Sequence, residues 1–293
     1  MRATGAVPLQ EKRSRPAPDI HFPLPVHAHL MQYGTVKPEG GHRSSKWTSQ
    51  FRSTPDKQSL KREMREGWDG GARGNWRRMI WAEASDSEDT FRASGERDYR
   101  MYVGGFLSAL EIDPAEMVAL EIGCGVGRVS DFLGHDFYRL VAVDVSREML
   151  KIARQRVMAK DILWLCNDGI SLGPIADHSV DFIFSFAVFQ HIPDAASLAY
   201  YLEEAGRVLK PGGWFVFQVM NQPHVSVGPW TVSLFVSSRY HFPRLRIYKR
   251  HVLDASPIRM GTILRSCRNS GLEVVRILHR FTQNTWVWAQ KKG

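Results

Sequence analysis

Residues 118 to 130 read Val-Ala-Leu-Glu-Ile-Gly-Cys-Gly-Val-Gly-Arg-Val-Ser, and this stretch constrains the fold most sharply. An apolar run from Val118 to Leu120 passes through Glu121 and Ile122 into Gly123, Gly125 and Gly127 on alternate positions. A short buried strand, a glycine turn and then a helix is the sequence form of a nucleotide-binding crossover. Glycine lets the backbone turn sharply and approach a ligand where any Cβ would intrude. The spacing departs from the dinucleotide fingerprint, which counted from Gly123 needs glycine at 128, where Arg128 stands. Pyrophosphate asks for a bare helix start. The acid at the strand end and the alternate glycines suit a cationic, phosphate-free ligand better.

Four more blocks follow in order. Residues 141 to 146, VAVDVS, form a second apolar run ending at Asp144, 23 positions past Glu121. A carboxylate about 20 residues after such a turn is placed to accept hydrogen bonds from both ribose hydroxyls. Asn167-Asp168 come after the apolar ILWLC, then DFIFSFAVFQHIPD, then LKPGGWFVFQV over 209 to 219. Strands are near-continuous apolar runs, as in sheets buried on both faces. They are read at 117–122, 139–144, 162–166, 180–186 and 213–220. Helices fall between them at about 127–137, 147–159 and 197–209, which makes a parallel doubly wound sheet. Ser146 caps the second of these helices, with Glu148 in its first turn. A helix over about 257–270 stops at Gly271 in the C′ position. GLEVVRILHR and TQNTWVWAQ then read as an antiparallel pair of strands.

This ordered set closely resembles the class I S-adenosylmethionine (SAM) dependent methyltransferases, of the small-molecule kind with a type 11 or 12 domain. The resemblance covers residues about 90 to 290. It implies an α/β fold: a Rossmann-like, doubly wound, mostly parallel seven-stranded sheet with an antiparallel last strand. It implies SAM as methyl donor. By motif matching, Glu121, Gly123, Gly125 and Gly127 line the methionine and ribose side, with Cys124 as a small residue in the turn. Asp144 takes the ribose hydroxyls, the adjoining Val145 is a further cofactor-binding candidate, and Asp168 with Gly169 approach the adenine edge. Met149 is an adenine-facing candidate, although a helix methionine is more often core. Ser185, Phe186 and Ala187 face the transferring methyl. A segment such as Ser94-Gly95-Glu96 closes over the cofactor, with Arg97, Tyr99 or Arg100 as candidates to hold the methionine carboxylate.

The charge distribution bears on partners. Of the net +9, residues 1–62 carry +7, which leaves the remaining chain at only +2. Basicity belongs to the tail, so a small-molecule acceptor is favoured over nucleic acid. An RNA methyltransferase gripping phosphate through that tail is the alternative, as is a SAM-binding protein without catalysis. A nicotinamide dehydrogenase is disfavoured by Arg128. SFAVF stands where amine methyltransferases carry an Asp/Asn-Pro-Pro-aromatic motif, and no cysteine near that strand suits attack on cytosine. No run approaches the roughly 18 apolar residues of a membrane span. Cysteines 124, 166 and 267 show no paired spacing, so reduced thiols and a cytoplasmic protein are expected.

Three parts are expected. Residues 1–60, rich in proline, form a disordered or loosely packed extension, and its His21, His27 and His29 lack the spacing of a metal site. Residues 61–112, with Trp68, Trp76 and Trp81, form a helical cap, with a possible helix start at Ser85 to Glu88. Residues 113–293 form the methyltransferase core, broken by an irregular insertion at 221–256. Long irregular segments are commonly lids or binding loops, and Trp230, Phe235 and Tyr240 are the acceptor-wall candidates there. His191 is the candidate base, with His224 second, since histidine titrates near neutrality. The competing role for His191 is to order the turn before Asp194, and this is slightly preferred.

Overall fold

The computed structural model describes residues 57–80, 87–192, 195–221, 224–227, 230–236, 243–249 and 257–293. The extension expected over 1–60 therefore lies almost wholly outside the described residues, with its three histidines, as do Trp81, Ser85 and Asp86.

Helix α1 (Lys57–Ile80) breaks its helical backbone at Asn75. A second helical run comprises α2 (Glu88–Asp98), a π-helical stretch (Tyr99–Gly104) and α3 (Gly105–Leu110). Ser87 caps α2 by accepting from the Thr90 amide, with Glu88 and Asp89 in the first turn, as the sequence predicts. The core then alternates: β1 (Val118–Ile122), α4 (Ser130–Asp136), β2 (Arg139–Asp144), α5 (Arg147–Arg156), β3 (Ile162–Cys166), β4 (Val180–Ser185), α6 (Ala195–Val208) and β5 (Leu209–Val219). Strands β6 (His224–Val227), β7 (Trp230–Val236) and β8 (Pro243–Lys249) come next. The chain closes with α7 (Met260–Asn269), β9 (Leu272–Leu278) and β10 (Thr285–Lys291).

The main sheet has seven strands in the order β3-β2-β1-β4-β5-β10-β9. Its first five strands are parallel, and β10 runs antiparallel to both β5 and β9. This is the expected doubly wound sheet with a reversed last strand.

Side-chain alternation fixes which residue faces which layer. Leu120, Ile122, Ile183, Phe215, Phe217 and Val287 pack under α6 and α7. Their neighbours Ala119, Phe182, Phe184, Val216, Trp286 and Trp288 pack on the other face, against Val103, Phe106, Leu107 and Leu133. Each fully buried side chain of this size contributes roughly 1.5–3 kcal/mol. Both faces are filled, so the polar side chains of the site are confined to the carboxyl ends of the strands.

The expected irregular loop over 221–256 is corrected by the structure. It contains a separate three-stranded antiparallel sheet in the order β6-β7-β8. The physical reason lies in period-two alternation, as in Thr231-Val232-Ser233-Leu234 and Arg244-Leu245-Arg246-Ile247, which suits half-buried strands. The excursion leaves and returns at one point. There Met220 O accepts from the Ile258 amide at 2.7 Å, and Asn221 Nδ2 donates to Ile258 O at 2.7 Å.

Candidate active site

The glycine turn is pinned to the neighbouring strand before it reaches any ligand. The amides of Gly123 and Cys124 both donate to Val143 O, at 2.8 and 3.0 Å. The Gly125 amide donates to Asp144 Oδ2 and the Ser146 amide to Asp144 Oδ1, each at 2.8 Å. One carboxylate thus ties the turn after β1 to the start of α5. Gly123 has φ +72°, and a Cβ there would sit 2.2 Å from Val188 Cγ2, so only glycine fits. Gly127 plays a different part. A Cβ on it would meet Val157 Cγ2 at 2.3 Å, which makes it a packing contact beneath the turn.

The cleft above this turn encloses about 980 Å³ of empty space, its mouth included. Glu121, Gly123, Cys124, Gly125, Asp144, Val145, Met149, Phe186, Ala187 and His191 line it. Asp168, Gly169 and Ser185 do not line it directly. The Asp168 carboxylate accepts from the Ile170 and Ser171 amides and pairs with Lys61 at 2.5 Å. Gly169 lies behind Met64 and Val145. Ser185 is fully buried and donates to Ile122 O at 3.1 Å, which locks two strands together.

Burial sets the charge states. Desolvation raises Glu121 to about 8, against the opposing effects of the Ser130 hydroxyl and Arg128. Desolvation likewise raises Asp144 to about 6, although the Ser146 and Gly125 amides pull it down. The Cys124 thiol is pushed well above its ordinary value by burial and by both carboxyls, so it stays protonated and is no nucleophile. Asp168 goes the other way: burial opposes ionisation, but Lys61 and two backbone amides hold it below the ordinary carboxylate range.

Helix α1 forms the outer wall with Met64, Trp68, Met79 and Ile80. Polar links among the described residues hold it there. Lys61 pairs with Asp168, Arg65 donates to Asn167 O at 3.1 Å, Asp69 accepts from the Ser146 hydroxyl at 2.6 Å, and Arg73 lies 3.6 Å from Glu148. The Lys61–Asp168 pair is about one-third exposed on each side, so its net worth is at most ~1 kcal/mol. Lys61→Ala is accordingly expected to speed hydrogen exchange in the first half of α1 about fivefold while leaving global melting unchanged. A drop in global melting would show that α1 is part of the core.

His191 is buried in a 3-10 turn (Phe189–His191) and meets Trp68 edge-to-face at 5.2 Å. The carboxylate-binding candidates of the sequence do not reach the cleft. Arg97 and Arg100 are largely exposed, beside Asp98 and Glu96, and Tyr99 donates to Asp136. The residue missed is Arg128. It lines the cleft at 8% side-chain exposure, donates to Asp98 Oδ2 at 2.5 Å and lies over the Phe186 ring. Its place directly after the glycines was the available signal. Asn167 and Tyr201, hydrogen-bonded to each other at 3.1 Å, also line the cleft without having been singled out for it. Trp230, Phe235 and His224 lie in the second sheet, but their side chains fall outside the described residues, as does Tyr240 altogether. Among the described residues no cluster of His, Cys, Asp or Glu suits a metal ion, and no helix is long and apolar enough to cross a membrane.

The sheet order, with its reversed last strand, matches the Rossmann-like methyltransferase fold. Residues 120–217 match the family model described as a methyltransferase domain, and SAM is the methyl donor of such domains. Among curated proteins, an uncharacterized 37.1 kDa protein in a transposon of Streptomyces fradiae is 33% identical over 180 residues, 59% of this chain and 47% of that one. Trans-aconitate 2-methyltransferase of Azoarcus sp. is 35% identical over 138 residues, 44% of this chain and 51% of that one. The chain thus spans about half the length of these relatives. Magnesium protoporphyrin IX methyltransferase from Synechocystis, solved with SAM bound, shares the fold at TM-score 0.53 and 16% identity, covering 82% of this chain and 99% of that one.

Proposed function

We propose that the protein transfers the methyl group of SAM to an O, N or C nucleophile of a small organic molecule. The observation that carries this reading is the single cleft where the Gly123–Gly125 turn, the Asp144 carboxylate and the apolar wall of α1 meet. The residues fit the donor. Gly123 and Gly125 leave room for close backbone approach, and Asp144 faces the cleft with its oxygens already fixed by two amides. Val145, Met149 and Asn167 form the side assigned to the adenine, with Asp168 and Gly169 behind them. Arg128, whose Nη1 is held by Asp98, offers its remaining guanidinium donors to the methionine carboxylate as hydrogen bonds. Phe186 and Ala187, just past β4, face the acceptor side.

The SAM sulfonium supplies an already electrophilic methyl, so the chain's main task is alignment of the acceptor. An apolar cleft with a few polar groups is how small organic ligands are held. The trans-aconitate enzyme and the ubiquinone biosynthesis O-methyltransferase of Paracidovorax citrulli, 26% identical over 106 residues, bear names with small-molecule acceptors, in line with this reading. Trp230, Phe235 and Tyr240 remain proposed acceptor contacts, on the strength of their place after β5.

His191 is assigned a positioning role, because its ring packs on Trp68 within the turn. Once an acceptor is found by screening with methyl-labelled SAM, His191→Asn should lower turnover less than tenfold. A loss of roughly 10²–10⁴, with the basic limb of the pH–rate profile gone, would make it the base instead. Failure of any acceptor to take label, while SAM binds, would count against catalysis.

A further inference from the structure

The charges around the cleft do not balance. Arg128 carries a positive charge, but it is bound to Asp98 at 2.5 Å and both are about 10% exposed or less at the side chain. That pair is neutral as a unit. Two carboxyls, Glu121 and Asp144, line the cavity besides it. Their solvation differs. Asp144 has a backbone amide on each oxygen. Glu121 is 5% exposed, and its partner is the neutral Ser130 hydroxyl, at 2.5 Å to Oε2. The other groups acting on it are Arg128, already neutralised by Asp98, and Asp144, which repels it. From α1, Asp69 bears on Asp144 and adds negative charge to the same end of the cleft. Among the described residues, a buried carboxylate so placed has no ion-pair partner of its own, Arg128 being paired with Asp98.

The methyl donor and its product differ at one atom in charge: a sulfonium is cationic, and the thioether left after transfer is neutral. We propose that Glu121 is a proton-linked counter-ion that distinguishes the two, standing protonated in the open cleft, ionising as the cationic donor enters and regaining a proton once the sulfur is neutral. The proton passes to solvent on binding and returns from solvent on product release. No bond to carbon is made by Glu121. Its raised affinity for the proton, near 8, supports the geometry and gives the working range. Below about 8, each pH unit gained should tighten donor binding up to tenfold until Glu121 is ionised in both states, while product binding stays flat. This rests on the proposed binding of SAM in this cleft.

Calorimetry of the full chain at pH 7, in two buffers of different ionisation enthalpy, reads the proton directly. SAM should release about one proton per site and S-adenosylhomocysteine none. Glu121→Gln should abolish the release and reduce the preference for SAM about tenfold. It also separates this proton from any given up by the ligand's own ammonium group. Stability supplies a second readout. Glu121 is raised above its unfolded value, so its stabilisation is present at low pH and lost as pH rises through about 8. Without ligand, Glu121→Gln should therefore melt higher than the native chain at pH 9 and not at pH 5. Should that variant fail to fold, Ser130→Ala keeps the carboxyl, removes its hydroxyl partner and should move the pH break in SAM affinity upward. SAM binding with buffer-independent heat would overturn the inference and leave the donor site intact. Absence of SAM binding altogether would overturn both.

Discussion

Asp144→Ala is expected to weaken SAM binding at least a hundredfold, a loss that calorimetry would read directly. The carboxylate ends β2 and is almost fully buried, with the Gly125 and Ser146 amides on its two oxygens. Each remaining lone pair that accepts a ribose hydroxyl is worth about 1.5–3 kcal/mol as a charge-assisted bond. Loss of two such bonds gives about 3–6 kcal/mol, and 1.4 kcal/mol is already tenfold. The same change strands two buried amides, so the ligand-free protein should also melt earlier. Desolvation raises this carboxyl to about 6. Its part in binding is therefore held above that value and lost as pH falls through it. Asp144→Asn, which keeps one acceptor, should lie between the two. Unchanged affinity in Asp144→Ala would remove this residue from the site.

Gly95→Ala should destabilise the protein by about 2–3 kcal/mol and damage the cleft at the same time. A Cβ at Gly95 would lie 2.1 Å from the backbone oxygen of Arg128. Backbone cannot swing aside as a long side chain can, so α2 must shift away from the turn. That shift would part Arg128 from Asp98, a contact with both partners buried. Breaking a buried pair leaves an uncompensated charge, which is more costly than never having built it. Thermal melting and SAM affinity should fall together. A variant with native melting would mean that α2 is not seated on the turn.

The contrast between these two sites shows what was legible in the sequence. Asp144 could be found because its role is local: an apolar run, an acid at its end and a fixed distance from the glycines. Strands β2 and β3 match the expected bounds to the residue for the same reason, being continuous apolar runs flanked by polar residues. Gly271 was legible as a helix stop and has φ +68°. The Gly95 contact depends on two segments 33 positions apart, and no local pattern announces it. Arg128 was visible as a departure from a fingerprint, but its partner Asp98 lies 30 positions away. The wall formed by α1 was legible only as tryptophans among charges. Its anchors on Asp168, Asn167 and Ser146 are long-range pairings that periodicity does not encode. In the insertion, aromatic content drew the reading toward a loop, whereas the alternating Arg244 to Ile247 segment carried the strand signal.

The central claim is that the cleft selects a cationic, phosphate-free adenosyl ligand. Parallel calorimetric titrations of the full chain with SAM and with NAD test it most directly. One SAM should bind per chain, with no measurable NAD binding, because Arg128 stands where a pyrophosphate site needs glycine and two buried carboxyls line the cleft. Binding of NAD in the absence of SAM binding would contradict the account.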